Sequence, residues 1–555
     1  MVNAPTTDPP PLKVRARSAL NAALPLMERI ATARGAAAIS PGINELISGD
    51  TMQGLCEGSA RVAEAISAGQ RIAIVGDYDA DGATATSVLL RAFKAWRADV
   101  FYVVPSRFTQ GYGLSAEIVR HCRDRGARLI VTVDNGIAAW AGAEAARAEN
   151  IDLVVTDHHL PGNRPVDAYA VVNPNQHGCV FPSKSIAGCG VALYLVLKIR
   201  RLLGAAYDFN PSELLDLVAL GTIADVVRLD DNNRALVAAG LRRIRSEKCS
   251  EGILMLCRAA GVLPSQVTCT DVAFKIAPRI NAAGRMAGMG LGIDCLTSDD
   301  RAAASDAAVA LNNVNAERRE RQADMLAVAE KLLPAVSDDK RSVCVQDESF
   351  HEGIVGIIAG KLREKHDRPT VVFSSATDGH IKGSGRSLPG LHLRDILDWV
   401  DRQAPGLIEK FGGHAMAAGL TLKAVYFARF AELFEAAVVH MELMNGSPLE
   451  RDVHWHDGSL AGNELGLGTA NILADGVWGN GFELPSFVDR FEVIESRTLK
   501  EAHTALKLGR DGQAVRAIWF NCVLSQAQSS IDLLYRPAIN RWNGENLQLE
   551  VIGRV

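Results

Sequence analysis

Residues 71–84, RIAIVGDYDADGAT, decide the fold of the first domain. The apolar or small residues 72–76 predict a short buried strand, and residues 83–96 predict a helix after it. Between them lie three aspartates at alternating positions, Asp77, Asp79 and Asp81. Because alternate residues of an extended segment point to the same side, we expect these carboxylates to converge. Such carboxylates repel one another and favour a bound magnesium or manganese ion. A solvated acidic turn that caps the next helix is the alternative.

Strands and helices alternate beyond this segment. Predicted strands at 101–104, 128–133, 151–156 and 168–172 are interrupted by helices at 115–125 and 138–149. This alternation predicts a parallel sheet with helices on both faces. Polar residues directly follow two of the strands, namely Asp134 and the triplet Asp157, His158 and His159. Asp225 follows a predicted buried helix. Open parallel sheets carry their sites at the carboxyl ends of the strands.

Three further regions complete the predicted organisation. A long helix at 298–333, highly charged midway, is typical of a solvent-facing spacer between two domains. A second α/β pattern begins near residue 341, and five short strands between 487 and 553 suit a small barrel such as the OB-fold. The predicted fold class is therefore multidomain α/β: a parallel-sheet domain and a smaller α/β domain joined by a long helix, with a C-terminal OB-like β-barrel.

The expected boundaries follow from these patterns. They are an N-terminal extension at 1–50, the parallel-sheet domain at 51–297, the connecting helix at 298–334, the smaller α/β domain at 335–445 and the barrel domain at 446–555.

Composition narrows the class of protein. Of 555 residues, 48% are apolar and 22% charged, as in ordinary globular proteins. The net charge of −5 gives no general attraction for nucleic acid, so any such surface must be local. The ten cysteines include no C-x-x-C pair, which predicts neither a zinc site nor a disulfide framework. Without a signal-peptide pattern or an apolar spanning segment, we expect a cytoplasmic protein with no membrane association.

The polar positions of the first domain supply carboxylate and imidazole groups. They are Asp77, Asp79, Asp81, Asp134, Asp157, His158, His159 and Asp225. This mixture suits two Mn²⁺ or Mg²⁺ ions, and histidine favours manganese. Two such ions can ionise a water molecule and hold a phosphate in line for displacement, with Asp134 as the candidate bridge. Taken alone, adjacent histidines are more often a satisfied polar pair than metal ligands.

A second polar constellation lies in the smaller α/β domain. Residues 383–387, GSGRS, predict a Gly-rich turn in which Arg386 approaches a phosphate closely, assisted by Ser384 and backbone amides. An ordinary turn arginine is an equally acceptable interpretation. His414 follows two glycines, so its backbone can also approach a substrate, and the capped start of a helix is the alternative.

Four motifs carry a family resemblance. They are GDYDADG at 76–82, VDNG at 133–136, TDHH at 156–159 and GTIADVV at 221–227. With them the chain resembles the DHH phosphoesterase superfamily, and most closely its bacterial branch of 5′→3′ exonucleases specific for single-stranded DNA. Further matches at 104–107, 111–113, 279–286, 383–387 and 412–414 extend the resemblance over roughly residues 50–555 in order.

The resemblance implies roles for the residues of the first domain. The implied metal ligands are Asp79, Asp81, Asp134, His158 and Asp225. Asp77 is implied to support the loop, and His159 to contact the scissile phosphate or protonate the leaving oxygen. One departure concerns the residue two positions before Asp77, which is often histidine in such chains and is Val75 here. One metal is therefore expected to have fewer protein ligands or to bind more weakly.

The resemblance also implies the substrate contacts and the reaction. Arg107, Ser384 and Arg386 are implied to bind the terminal 5′-phosphate, Arg279 to contact the strand near the scissile bond, and His414 to approach the substrate. The implied reaction is hydrolysis of single-stranded DNA from its 5′ end to 5′-mononucleotides, in DNA repair or recombination. A single-strand-binding protein and a RecQ-type helicase are the implied partners of a monomeric enzyme.

Two other functions stay open at this point. One is a DHH-type phosphodiesterase acting on short oligonucleotides or dinucleotides, although such chains are usually shorter and lack the barrel. The other is a non-catalytic DNA-binding scaffold, which the near-complete aspartate set disfavours. In the barrel, Phe491, Trp519, Phe520, Tyr535 and Trp542 are candidates for base stacking, and half of them are expected in the core.

Overall fold

The computed structural model describes residues 10–17, 24–106, 113–333, 339–444, 453–524, 529–542 and 544–555. They belong to two compact units. The first comprises Met1–Gly284, Gly288–Asn312 and Val453–Val555, and the second comprises Arg285–Ala287 and Asn313–Asp452. Within the described ranges, none of the helices combines the length and apolar composition needed to cross a bilayer.

The parallel sheet forms as the alternating pattern predicts. The chain begins with β1 (Lys13–Ala16), α1 (Leu26–Ala33), α2 (Leu55–Ser67), β2 (Ile72–Val75), α3 (Ala80–Ala95), β3 (Val100–Val103), α4 (Ala116–Asp124), β4 (Leu129–Val133), α5 (Trp140–Ala148), β5 (Asp152–Thr156), β6 (Ala170–Val172) and α6 (Gly188–Leu203). The strand order is β3-β2-β4-β5-β6, and every pairing is parallel.

The sheet is buried on both faces because helices cover each side. Along β2, Ile72 and Ile74 join one apolar cluster, whereas Ala73 and Val75 join another on the opposite face. This alternation follows from the period of two residues in a strand. The four residues of β2 are completely buried, so the strand ends in a fixed position.

A helical layer follows the sheet. It contains α7 (Leu215–Ala224), α8 (Asp231–Arg245), α9 (Glu251–Ala259), α10 (Cys269–Asp271), α11 (Ala277–Met286) and α12 (Gly290–Thr297). The long helix α13 (Arg301–Leu332) then leads along the chain into the second unit, which confirms the predicted connecting helix. Proline cannot continue a helix, so Pro334 predicts the end of this one, but that residue lies outside the described residues.

The second unit is a mixed α/β fold. Its elements are β7 (Val343–Asp347), α14 (Val355–His366), β8 (Thr370–Ser375), β9 (His380–Arg386), α15 (Leu393–Gln403), β10 (Lys410–Gly413), β11 (Ala417–Lys423) and α16 (Phe427–Met444). The order is β10-β11-β9-β8-β7, with only β7 and β8 parallel among the described strands. The predicted Gly-rich turn around Arg386 is wrong, because residues 380–386 form β9 and pair with strands on both sides.

The C-terminal region is a closed five-stranded barrel. It follows β12 (Val453–His456) and α17 (Leu467–Asp475), and comprises β13 (Phe487–Leu499), β14 (His503–Arg510), β15 (Gln513–Trp519), β16 (Ser530–Asn540) and β17 (Asn546–Arg554). The order β13-β14-β15-β17-β16 closes through pairing of β13 with β16. The five predicted strands are confirmed.

The N-terminal region is less helical than the sequence suggests. The Ala-rich composition of residues 18–68 predicts helix, but among the described residues only α1 and α2 are α-helices there. Glycines interrupt the region, and Gly54, the N-cap of α2, has φ +79°. In addition, β1 pairs in parallel with β12, so this part of the N-terminus is joined to the segment before the barrel.

Gly54 provides a test of the packing of α2 on the sheet. A Cβ at this position would lie 2.0 Å from the carbonyl oxygen of Val171 in β6, whereas one at Gly35 (φ +65°) would meet nothing within 4 Å. Both substitutions introduce the same kind of backbone strain, but only Gly54→Ala also introduces a steric clash. Gly54→Ala should therefore lower the free energy of unfolding by about 1–3 kcal/mol more than Gly35→Ala. Thermal unfolding followed by circular dichroism measures the difference, and equal midpoints for the two variants would contradict it.

Candidate metal centre

The strand ends of the first unit bring acidic residues to one edge of the sheet. Asp77 lies two residues beyond β2, Asp134 directly follows β4, and Asp157 directly follows β5. Because these strands are parallel neighbours, their carboxyl ends lie side by side. All three aspartates are at least 95% buried, with exposed fractions of 5%, 2% and 1%.

The first aspartate motif is a strand-to-helix turn and not the extended segment expected. Asp79 is the N-cap of α3, and its Oδ1 accepts a hydrogen bond of 2.9 Å from the amide of Gly82. Asp81 is already inside the first turn of the helix. The carboxylates therefore converge because the chain turns into a helix, which the preference of aspartate for N-caps explains.

The amino terminus of α6 holds Asp81. Its two carboxylate oxygens accept hydrogen bonds from the amides of Gly188 (2.6 Å) and Cys189 (3.0 Å). The positive end of a helix favours a carboxylate at this position. Asp81 is thereby oriented by two elements that lie more than a hundred residues apart in the chain.

His158 lies among three carboxylates. Its Nε2 atom is 3.0 Å from Asp134 Oδ1, 3.5 Å from Asp225 Oδ2 and 4.0 Å from Asp81 Oδ2. Asp225 reaches this point from the C-cap of α7, as the sequence predicted for the end of a buried helix. Four of the five predicted metal ligands thus meet around one imidazole nitrogen.

Three overlapping groups have ligand atoms within 4.8 Å of one another. They are Asp77, Asp79 and Asp134; Asp81, His158 and Asp225; and Asp134, His158 and His159. Asp134 and His158 each belong to two of these groups, and Asp134 stays the candidate bridge. The groups also include Asp77 and His159, for which the family resemblance implies supporting and catalytic roles.

The electrostatics of this cluster fit a cationic ligand. Burial, and then the charge of Asp81, raise the pKa of Asp134 well above its usual range and that of Asp225 to about 9. Burial also raises the pKa of Asp81, with Asp79 adding to it. The carboxylates destabilise one another's charged form, and a cation would relieve this repulsion. Several carboxylates beside one imidazole also make the oxygen-rich donor set that Mn²⁺ and Mg²⁺ prefer. The residues present therefore fit divalent metal ions.

Asp157 organises the loop that carries the two histidines. Its Oδ1 accepts hydrogen bonds from the amides of His158 (2.7 Å) and His159 (3.1 Å) and from His159 Nδ1 (2.7 Å), and its Oδ2 accepts one from the amide of Ile137 (2.9 Å). Burial alone would raise the pKa of Asp157, but these hydrogen bonds outweigh it and lower the pKa. The same contact raises the pKa of His159 to about 9, against the opposing effect of burial.

The helix α11 supports the turn that carries Asp79 and Asp81, which the sequence did not reveal. Asn281 accepts a hydrogen bond of 2.9 Å from the amide of Ala80, and a Cβ on Gly284 would lie 1.8 Å from the carbonyl oxygen of Tyr78. Both residues belong to the motif at 279–286, from which only Arg279 was singled out. Arg279 itself hydrogen-bonds Asn312 Oδ1 and the carbonyl oxygens of Lys275 and Ala259.

Val75, at the position where histidine was expected, has a purely structural environment. Its side chain is completely buried in the apolar cluster between the sheet and the helices α4 and α5. Its carbonyl oxygen accepts a hydrogen bond of 3.1 Å from Asn135 Nδ2, which joins the ends of β2 and β4. The strand end is therefore fixed without a side chain that can bind metal.

Ser384 and Arg386, two of the predicted phosphate residues, lie on the second unit. Lys382, Ser384 and Arg386 share one face of β9, alternating with buried residues. Arg386 is next to Ser384 Oγ (3.3 Å), and a Cβ on Gly356 in α14 would lie 2.8 Å from that oxygen and 3.1 Å from Arg386 Nη2. Lys382 pairs with Glu352, whereas Arg386 forms no ion pair with any carboxylate in the described ranges.

Of the two remaining predicted substrate-binding residues, the structure describes one, His414. His414 is exposed in the turn after β10, where its amide donates to the carbonyl oxygen of Ala417 (2.8 Å), so the alternative of a helix start is wrong. Arg107 lies outside the described residues.

The barrel separates its aromatic residues as expected. Phe491, Trp519 and Tyr535 are at most 5% exposed and belong to the core, while Phe520 and Trp542 are exposed at 52% and 83%. Phe520 lies edge-on to His503 with ring centroids 5.5 Å apart.

Family models match three parts of the chain. The DHH family N-terminal domain matches residues 71–222, the DHHA1 domain matches 340–440, and the RecJ OB domain matches 456–553. Together they define a DHH-type chain that carries the associated domain and an OB-type barrel.

Curated relatives and solved structures agree with these matches. The single-stranded-DNA-specific exonuclease RecJ of Dickeya dadantii is 43% identical over 503 residues, which are 87% of each chain. That of Salmonella typhimurium is 40% identical over 551 residues, or 95% of each chain. The structure of RecJ in complex with Mn²⁺ from Thermus thermophilus has a TM-score of 0.80 at 29% identity, covering 95% of this chain and 76% of that one. The Mg²⁺ complex from the same organism has a TM-score of 0.74 at 28% identity, with 95% and 74% covered. The chain belongs to the RecJ family.

Gly188 offers a test of how closely α6 must approach the cluster. A Cβ at this residue would lie 2.7 Å from both Cβ and Oδ1 of Asp134. Gly188→Ala should therefore displace Asp134 and weaken Mn²⁺ binding about tenfold or more. Calorimetric titration of the metal-free protein measures the affinity. Gly360→Ala in α14, where a Cβ would meet nothing within 4 Å, is the matched control and should bind Mn²⁺ normally. Unchanged affinity in Gly188→Ala would contradict the close approach.

Proposed function

We propose that this protein is a metal-dependent exonuclease that hydrolyses single-stranded DNA from its 5′ end and releases 5′-mononucleotides. The observation that carries the proposal is the meeting of Asp81, Asp134 and Asp225 around His158 Nε2, in a chain of the RecJ family. The proposed ligands of two Mn²⁺ or Mg²⁺ ions are Asp79, Asp81, Asp134, His158 and Asp225, with Asp77 supporting or sharing the site.

Bound divalent cations would supply charge stabilisation to the phosphate oxygens and activate water at neutral pH. The residues around them contribute position and proton transfer. Asp157 accepts a hydrogen bond from His159 Nδ1, which fixes the imidazole and its tautomer. His159 would then act through Nε2, by contacting the scissile phosphate or by protonating the leaving 3′-oxygen.

The second unit is proposed to bind the terminal phosphate. Arg386 has no carboxylate partner among the described residues, is largely desolvated and lies beside a hydroxyl donor, Ser384. A guanidinium in such surroundings is well suited to a phosphate dianion. From the family resemblance alone, Arg107 is also proposed to bind the terminal phosphate, and Arg279 and His414 are proposed to contact the strand. A pocket that must be filled by a chain terminus would explain the polarity, because internal bonds could not be cut first.

The biological setting is proposed from the family. We infer a role in DNA repair or recombination in the cytoplasm, with the enzyme acting as a monomer. The exposed Phe520 and Trp542 of the barrel would provide stacking surfaces for single-stranded DNA. A single-strand-binding protein and a RecQ-type helicase, which would prepare and present the strand, are the proposed partners.

Removing the proposed bridging carboxylate should abolish hydrolysis. Asp134→Ala is expected to reduce release of mononucleotides from single-stranded DNA by on the order of a hundredfold or more, because a pair of cations would lose a shared ligand. Mononucleotides are measured by chromatography with Mn²⁺ present. The exposed Asp167→Ala, whose carboxylate pairs only with Arg147 among described groups, is the control. A wild-type protein that cuts dinucleotides but not long strands would contradict the proposal and favour the short-oligonucleotide phosphodiesterase.

Loss of the Arg386 guanidinium should affect binding of the 5′ terminus. For single strands that carry a 5′-phosphate, Arg386→Ala is expected to raise KM about tenfold or more, whereas strands with a 5′-hydroxyl should be much less affected. Steady-state kinetics on the two substrates measure this difference. The exposed Arg402→Ala, in α15, should leave both values unchanged. An equal effect of Arg386→Ala on both substrates would contradict a phosphate pocket.

A further inference from the structure

The residue that follows Asp225 has an unfavourable backbone conformation. Val226 has φ +59°, a region that β-branched side chains rarely adopt. Its side chain is 63% exposed, so apolar packing does not explain this conformation. The turn must therefore be held by its hydrogen bonds. One of these runs from the Val226 amide to the carbonyl oxygen of Ile223 (3.3 Å), within the end of α7.

The second contact comes from the segment that precedes the barrel. Asn480 donates from Nδ2 to the carbonyl oxygen of Val226 (2.8 Å), and its own carbonyl oxygen accepts from the amide of Leu229 (2.8 Å). The side chain and backbone of one residue thus bind both ends of the segment 226–229, which directly follows the proposed metal ligand.

The glycines on either side of Asn480 show how close this approach is. A Cβ on Gly479 would lie 2.8 Å from Leu229 Cδ1, and one on Gly481 would lie 2.7 Å from Arg228 Cγ. Gly481 also has φ +70°, which suits glycine. Trp478 and Phe482, at the two ends of the segment 478–482, are buried and stack on each other with ring centroids 5.6 Å apart. Residues 478–482 therefore form a fixed support against the turn 226–229.

We infer that Asn480 is a positioning residue of the metal centre. By holding Val226 in its strained conformation, it keeps the carboxylate of Asp225 beside His158. This inference rests on the proposed function only in that Asp225 binds metal. It assigns a part of the metal centre to the region before the barrel, which lies more than 250 residues further along the chain.

The direct test is Mn²⁺ binding to the metal-free, full-length protein, followed by calorimetry. Asn480→Ala should weaken Mn²⁺ binding about three- to tenfold. The effect is moderate because the lost hydrogen bond is exposed, so that water can replace Asn480 at the carbonyl oxygen. Asn480→Asp should weaken it at least as much, since a carboxylate has the same shape but cannot donate to a carbonyl. Asn546→Ala is the matched control, because Asn546 also donates from an exposed position to a backbone carbonyl, in the barrel.

The hydrolysis rate distinguishes positioning from a general loss of structure. The Mn²⁺ concentration for half-maximal activity should rise in Asn480→Ala, while the rate at saturating Mn²⁺ should stay close to that of the wild type. Val226→Gly removes the strain that Asn480 counters, so Asn480→Ala should cost less affinity in that background than in the wild type.

The outcomes separate the two claims. If the wild-type protein binds no Mn²⁺, the proposed metal centre is wrong. If the wild type binds Mn²⁺ and both Asn480 variants bind it equally well, the metal centre stands and the role of Asn480 is wrong. A loss of affinity in Asn480→Ala that is the same with and without Val226→Gly would also overturn the strain argument.

Discussion

Repulsion among buried carboxylates is the constraint on which the rest of the first unit depends. Asp81 and Asp134 are almost inaccessible to water, and Asp77 and Asp225 are close to them. Charges removed from water destabilise one another strongly unless an opposite charge is present. Uncharged polar side chains at the strand ends would avoid this repulsion, so the cluster of acids is not explained by the sheet alone. The arrangement becomes favourable once divalent cations compensate the charge, so metal binding and the local fold are physically linked.

Parts of this arrangement could be predicted from local sequence. Alternation of apolar strands and helices identified the parallel sheet, and polar residues at the strand ends, such as Asp134 and His158, identified its functional edge. The barrel was equally predictable, because five strands with period two and intervening turns leave a clear pattern. In each of these cases the signal lies within a few residues of the element that it specifies.

Other parts could not be predicted because their partners are distant in the chain. The amides of Gly188 and Cys189, which hold Asp81, lie 107 and 108 residues from it in the chain. Asn281, which holds the amide of Ala80, lies 201 residues from that residue. Neither the hydrophobic period of a segment nor a helix-capping motif carries information about contacts between residues so far apart in the chain. The turn at Asp79 was misjudged for a local reason: three alternating acids suit an extended strand, but the capping preference of aspartate prevailed.

The proposed ligands also differ in how firmly the fold holds them. Asp134 follows a completely buried strand, and Asp81 is fixed by a helix terminus, so their positions are set by the core. Asp225 is different, because its side chain is 23% exposed and the turn after it is strained. The position of Asp225 therefore depends on a contact from outside its own helix, because Asn480, in the segment before the barrel, donates a hydrogen bond to the carbonyl oxygen of Val226.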